Sequence, residues 1–307
     1  MTVLGVMFPG QGTQKVGMGR VLERGSKAAS AVFDTADAVL ERDVRGLCFR
    51  GPTPELTLTQ NAQVAIFTSN AAALAALREE GHEPVLAMGH SVGELNALVA
   101  AGVLSLEDGL RLVAARGRLM GLIETPGTMA SILGLAPDDV RALCERSGHV
   151  VVPALVNGPE NIVVSGEVAG VEAVEKLALE AGARKATRLT VSSAFHSPLM
   201  AEAVPEWEQV VAAATMNEPR FPVVLNTTGA VATGADDARQ ALVDQLTGPV
   251  RWVEDVRAAV AQGVDLMVEA GDSKVLTALV RAIEPDLSCV AMHDPRALRR
   301  LRTERAG

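Results

Sequence analysis

The sequence predicts an α/β fold, and three observations carry that prediction. Short apolar runs of strand length, at Val3–Phe8, Val85–Met88 and Leu266–Glu269, alternate with longer stretches of helical periodicity. One of them passes through a tight turn, Gly89-His90-Ser91-Val92-Gly93, into a helical run with apolar residues at Leu95, Leu98, Val99 and Val103. Between Thr128 and Val191 the order becomes β-α-β-β-α-β, the split arrangement of a ferredoxin-like unit. That unit reads as an insert, because the elements on either side of it follow a different pattern.

The strand–turn–helix is the centre of the chain. In a G-x-S-x-G elbow the serine sits on strained backbone, and a side chain at Gly89 or Gly93 would clash with strand or helix. A Ser91 hydroxyl exposed there stands over a helix start, whose free N–H groups favour developing negative charge. Ser91 is therefore the candidate nucleophile. Taken alone, the same residues also describe a plain strand-to-helix connection with an N-capping serine.

In order, Val3–Phe8 reads as a buried strand entering Pro9-Gly10-Gln11-Gly12-Thr13-Gln14. That loop lacks the Lys-Ser/Thr of a P-loop and the full G-x-G-x-x-G spacing, so it is either a plain turn or a place where backbone approaches a ligand. Helical patterns cover Val16–Leu47 and Gln60–Glu80, the second closed by Gly81. Ser105 and Asp108 form a capping box for a helix that runs to about Ile123, before Pro126-Gly127. On it Arg116 falls on the same stripe as Leu112, Val113, Leu119, Met120 and Ile123, while Arg111 and Arg118 lie toward the other side. An inward guanidinium needs either an internal acid or a substrate carboxylate.

The insert reads as strand Thr128–Leu135, helix Pro137–Arg146, strands Val150–Val156 and Asn161–Gly166, helix Val168–Ala181 and strand Lys185–Val191. Ser192-Ser-Ala-Phe-His196-Ser-Pro198 follows as a loop, where His196 is a packing residue or a functional one. Helices are then expected at Ala203–Ala214, Ala235–Leu246, Val253–Gln262 and Lys274–Ile283. Strands are expected at Val223–Asn226, Leu266–Glu269 and Ser288–Met292.

Composition narrows the function classes. The net charge is −9 over 307 residues, with no tyrosine and few aromatics, which disfavours nucleic-acid binding by phosphate contact or base stacking. Cys48, Cys144 and Cys289 are far apart and lack metal-ligand spacing, so reduced thiols are expected, with no metal. No leader-like start and no spanning apolar run is present, so a cytoplasmic protein without membrane attachment is expected.

Five motifs now line up in order: Phe8-Pro-Gly-Gln-Gly-Thr-Gln14, Gly89-His-Ser-Val-Gly-Glu94, Arg116-Gly-Arg-Leu-Met120, Ala194-Phe-His-Ser-Pro-Leu-Met200 and Gln245-Leu-Thr-Gly-Pro-Val-Arg-Trp252. With them the chain resembles the malonyl-CoA:acyl carrier protein transacylases and the acyltransferase domains of polyketide synthases, over essentially its whole length. The resemblance implies an α/β-hydrolase-like large domain, residues 1–126 and 193–307, with a ferredoxin-like subdomain at 127–192. It implies Ser91 as acylated nucleophile, His196 as base oriented by the Gln245 backbone carbonyl, and the Gln11 and Val92 N–H groups as oxyanion hole. Arg116 becomes the clamp for a malonyl carboxylate, and Leu155 and Phe195 wall the pocket.

Transfer of a malonyl-type group from acyl-CoA to an acyl carrier protein, in fatty acid or polyketide biosynthesis, is the implied function, without a cofactor. Arg296, Arg299, Arg300, Arg302 and Arg305 offer a landing patch for an acidic carrier. A discrete, monomeric enzyme working in trans is expected. Two positions depart from the family pattern: Leu155 stands where many members have asparagine, and Glu269-Ala-Gly-Asp-Ser-Lys274 replaces a Gly-Pro-Gly-like loop. Leu155 makes the wall more apolar. A substituted malonyl group, a larger acyl group moved between two carriers, and a thioesterase on the same scaffold remain alternatives.

Overall fold

A computed structural model of the chain describes residues 2–293, 297 and 301. From the N-terminus the elements are β1 (Leu4–Phe8), α1 (Arg20–Gly25), α2 (Lys27–Leu40), α3 (Val44–Arg50), α4 (Thr53–Thr57), α5 (Thr59–Glu79), β2 (Leu86–Gly89), α6 (Gly93–Ala100) and α7 (Leu106–Gly121). Next come β3 (Gly127–Leu133), α8 (Pro137–Arg146), β4 (Val151–Gly158), β5 (Asn161–Glu167), α9 (Val168–Glu180) and β6 (Lys185–Arg188). A tight helical turn, Pro198–Ala203, leads to α10 (Val204–Ala213), β7 (Val224–Leu225), β8 (Ala230–Val231), α11 (Ala235–Asp244), α12 (Trp252–Ala261), β9 (Leu266–Glu269), α13 (Val275–Ile283) and β10 (Ser288–Ala291).

Strands β10, β9, β1 and β2, in that order, form a parallel sheet. β1, β2 and β9 are buried at every position, as continuous apolar strands must be when helices cover both faces. A second, antiparallel sheet has the order β4-β5-β3-β6 and packs α8 and α9 over Ile132, Val140, Ile162 and Val174. The two sheets meet where Val156 N–H donates to the Val250 carbonyl at 2.9 Å and Val250 N–H donates to that of Ala154 at 2.8 Å. This stitch holds Leu155 against the segment that precedes α12.

Two expectations need correction. The helical run over Val16–Leu47 is three helices, because the chain breaks at residues that cap rather than continue. Ser26 is extended and accepts the Ala29 N–H at 3.0 Å, Glu41 takes a left-handed φ of 49°, and Asp43 caps α3 through the Gly46 N–H. The strand expected at Val223–Asn226 is paired only over Val224–Leu225, with β8, while Val223 bridges Ala87 on the β2 edge. Asn226 lies beyond the strand, and its polar groups turn toward the elbow.

Helix α5 explains how a site forms inside the protein. Seventeen of its 21 residues are buried, so its polar side chains face neighbours instead of water. Asn70 donates to the Pro9 carbonyl at 2.9 Å and to Asn96 of α6 at 3.1 Å, and Gln63 faces Arg116 of α7. Ser105 caps α7 by accepting the Asp108 N–H at 2.9 Å, an interaction worth about 1 kcal/mol. Among the described residues no helix is long and apolar enough to cross a membrane.

Helix α6 begins hard against β1. A Cβ on Gly93 would stand 2.1 Å from the Phe8 carbonyl oxygen, and one on Gly89 would stand 2.1 Å from the Gly93 carbonyl. Neither backbone can retreat without opening the sheet. Gly93→Ala is therefore expected to cost about 3 kcal/mol of stability in urea unfolding. Gly25→Ala, at the open end of α1 where an added Cβ meets nothing within 4 Å, is expected to be neutral or slightly stabilising.

Candidate active site

Ser91 closes the turn between β2 and α6 with φ at +55°, a left-handed backbone that costs a non-glycine residue about 1–3 kcal/mol. That conformation lifts the side chain off the sheet and over the first turn of α6. Its hydroxyl lies 2.7 Å from His196 Nε2 and 3.3 Å from an Arg116 Nη. Ser91 is only partly buried and remains reachable from the cavity.

His196 comes from the loop after β6 and also has a left-handed φ, +57°. Its Nδ1 stands 2.9 Å from the Gln245 carbonyl oxygen and 3.2 Å from that of Gly248. Carbonyls only accept, so Nδ1 carries the proton and Nε2 is left bare toward the serine hydroxyl. Burial first, and the Arg116 charge second, lower the His196 pKa to about 3. The ring is neutral at any ordinary pH, with Nε2 bare toward the serine.

Arg116 is 1% exposed, facing inward as the stripe on α7 requires, whereas Arg111 and Arg118 pair with Asp108 and Glu206 at the surface. No carboxylate of the described residues lies within ion-pair distance of its guanidinium. Amide oxygens hold it instead: Nη1 donates to Gln63 Oε1 at 2.7 Å and Nη2 to Gln245 Oε1 at 2.9 Å. Burial lowers its pKa to about 10, with the more distant Glu94 opposing the shift. A cation held by neutral oxygens beside a cavity is a receptor for an anion.

The cavity measures about 610 Å³, and Gln11, Ser91, Arg116, Leu155, Phe195 and His196 line it. Leu155 reaches it from β4 and Phe195 from the loop that carries the histidine. Val92 is fully buried behind Ser91, and Gln245 is buried behind the imidazole, so each presents backbone or a second contact rather than a pocket wall. Among the described residues the backbone N–H groups of Gln11 and Val92 have no acceptor. They are free to bond an oxygen placed above the serine.

Residues 6–291 match the acyl transferase domain family. The chain belongs to the acyl transferase family. It is 39% identical over 303 residues to the malonyl CoA-acyl carrier protein transacylase of Bacillus subtilis, covering 97% of this chain and 96% of the relative. To the Escherichia coli K12 transacylase it is 37% identical, covering 97% and 98%. Among solved structures, the Coxiella burnetii transacylase superposes with a TM-score of 0.95 at 31% identity, covering 98% of this chain and 96% of that one. A malonyl-transacylase in complex with a type II polyketide synthase acyl-carrier protein gives 0.93 at 36% identity, covering 97% and 98%.

This acyl transferase contains site residues that the sequence did not single out. Gln63 is one half of the cradle for Arg116. Asn226, beyond β7, bonds the elbow on both sides of the nucleophile. Glu94 and Asp255 are buried carboxyls behind it, the first raised to about 7 and the second raised well above its usual range, both chiefly by burial. His90 Nε2 lies 2.8 Å from Asn157 Oδ1, which ties the elbow to β4. Interior amides and acids leave no periodic mark in a sequence; Glu94 closed one of the five motifs but had no role assigned to it.

Arg296, Arg299, Arg300, Arg302 and Arg305 lie outside the described residues. Among those described, no group of three or more His, Cys, Asp or Glu has the arrangement to hold a metal ion. The depressed His196 basicity has a direct readout. The Hε1 resonance of His196 in an NMR titration is expected to stay at its neutral position from pH 8 down to pH 5. A midpoint near the ordinary 6.5 for His196 overturns the assignment.

Proposed function

We propose that this chain is a malonyl-CoA:acyl carrier protein S-acyltransferase that works through an acyl-serine in two half-reactions. One observation carries the reading: a buried guanidinium, cradled by two amide oxygens and without an ion-paired carboxylate among the described residues, stands 3.3 Å from the hydroxyl of an elbow serine. A thioester whose acyl group ends in a carboxylate fits both ends of that arrangement.

In the first half-reaction His196 Nε2 takes the Ser91 proton as Oγ attacks the thioester carbonyl. The N–H groups of Gln11 and Val92 receive the oxyanion; their lack of other acceptors supports that role. The C–S bond then breaks, and the imidazolium returns its proton to the departing CoA thiolate. In the second half-reaction the phosphopantetheine thiol of the carrier protein gives its proton to His196 and attacks the acyl-serine. Ser91 leaves and is reprotonated. Arg116 fixes the carboxylate and so aligns the carbonyl with the oxyanion donors.

The same reading assigns residues 1–126 and 193–307 to an α/β-hydrolase-like domain and 127–192 to a ferredoxin-like subdomain. The parallel sheet and the β4-β5-β3-β6 order support it. Leu155 and Phe195 set the width of the acyl pocket. The arginines Arg296, Arg299, Arg300, Arg302 and Arg305 complement an acidic carrier by charge. No resident cofactor takes part in any step, the enzyme works as a monomer, and the free thiols of Cys48, Cys144 and Cys289 fit a reducing cytoplasm.

Brief incubation with malonyl-CoA is expected to add one malonyl mass to the wild type and none to Ser91→Ala. Arg116→Ala is expected to lower malonyl transfer by about 100-fold or more while lowering acetyl transfer far less, since only malonate has a carboxylate to lose. Equal losses for the two acyl groups count against the clamp. Free acid released at the same rate with and without carrier protein would favour a thioesterase.

A further inference from the structure

We propose that Asn226 is a positioning residue for the nucleophile: its side-chain carboxamide extends the hydrogen-bond ladder past the end of β2 and locks Ser91 on its left-handed backbone. The inference rests on the acyl-serine reading and adds to it a residue outside the reacting groups.

The ladder along this edge of β2 begins with main chain. Ala87 N–H donates to the Pro222 carbonyl at 3.0 Å, and Ala87 bridges Val223 in parallel. Beyond that point a side chain takes over. Asn226 Nδ2 donates to the Gly89 carbonyl at 2.7 Å, and its Oδ1 accepts the Ser91 N–H at 2.8 Å. A carboxamide carries the same donor and acceptor as a peptide group, so it can pair with the elbow where the strand partner has already diverged.

All four side-chain bonding positions of Asn226 are filled. Oδ1 also accepts from Gln245 Nε2 at 3.2 Å, and Nδ2 also donates to Asp255 Oδ2 at 2.9 Å. Rotating the amide by half a turn would set donors against donors and acceptors against acceptors, so its direction is fixed. The main chain of Asn226 is fixed as well: its N–H donates to Glu94 Oε2 at 2.6 Å and its carbonyl accepts from Arg251 N–H at 2.9 Å. The residue is fully buried.

Two consequences for the reaction follow from this wiring. The Ser91 N–H is already engaged, which leaves the Val92 N–H as the free donor beside the nucleophile. Gln245, meanwhile, joins Asn226 to both Arg116 and His196, since its Oε1 holds the guanidinium and its carbonyl holds the ring. One amide thus sets the relative placement of nucleophile, base and clamp.

The test is single-turnover acylation by malonyl-CoA, followed by intact mass, with thermal melting to count folded protein. Asn226→Asp keeps the shape and both accepted bonds but deletes both donated ones when ionised and one of them when protonated; Asn226→Leu deletes all four. Folded Asn226→Asp is expected to acylate about 100-fold more slowly than wild type at saturation, with half-saturation by malonyl-CoA unchanged. Asn226→Leu is expected to be slower still. Because Asn226→Asp adds a third carboxyl beside Glu94 and Asp255, a second pair covers a failure to fold. Asp255→Ala strips Nδ2 of one acceptor and is expected to slow acylation at saturation, and Asp255→Asn, which keeps an acceptor, is expected to restore it. Folded Asn226 variants that acylate at the wild-type rate, a loss residing wholly in half-saturation, or Asp255→Asn as slow as Asp255→Ala overturns the proposal. A wild type that forms no adduct overturns the acyl-serine reading instead.

Discussion

The site depends on one buried charge. Arg116 sits in the interior with amide oxygens for partners, and dipoles offset only part of what a guanidinium loses on leaving water. Its neighbours register the surplus. His196 becomes harder to protonate, and Glu94 is drawn back toward its ionised form against the pull of burial. A carboxylate seated on Arg116 would cancel one of the two main causes that depress the imidazole, so on the proposed mechanism the right acyl group would improve the base that acts on it.

Beneath the reacting groups lies a layer of acids that the charge does not neutralise. Glu94 and Asp255 are both fully buried and both are held above the usual carboxylate range, and among the described residues Asp255 Oδ1 has no hydrogen-bond partner. The folded protein therefore keeps protons that the unfolded chain gives up. That contribution to stability is complete below the unfolded carboxylate range, and for Glu94 it is lost as the pH rises through about 7. The network under the elbow is thus more secure in mildly acidic than in neutral solution, and His196 remains unprotonated in both.

Sequence and structure agree where a residue's chemistry conflicts with its pattern. Ser91 between two glycines and Arg116 on an apolar stripe both break local rules, and the fold brings them within hydrogen-bond reach of each other. His196 broke no rule, and only the alignment of five motifs drew attention to it. Asn226 and Asp255 were illegible for a different reason. An asparagine after a strand reads as turn chemistry, and an aspartate in the first turn of a helix reads as a partner for the helix dipole. The run over Val16–Leu47 looked continuous because α2 and α3 each bury an apolar face, and the caps at Ser26 and Asp43 use residues that are common on helix surfaces.

The imidazole leans on two main-chain carbonyls, from Gln245 and Gly248, where many hydrolases supply an acid. A peptide oxygen offers a dipole but no full negative charge, so a protonated ring gains little from it and stays a feeble base at rest. Feebleness is selective. Withdrawing a proton from a thiol, which ionises near pH 8.5, asks far less of such a base than withdrawing one from water. On the proposed mechanism an acyl-serine would therefore yield to an arriving sulfhydryl more readily than to water.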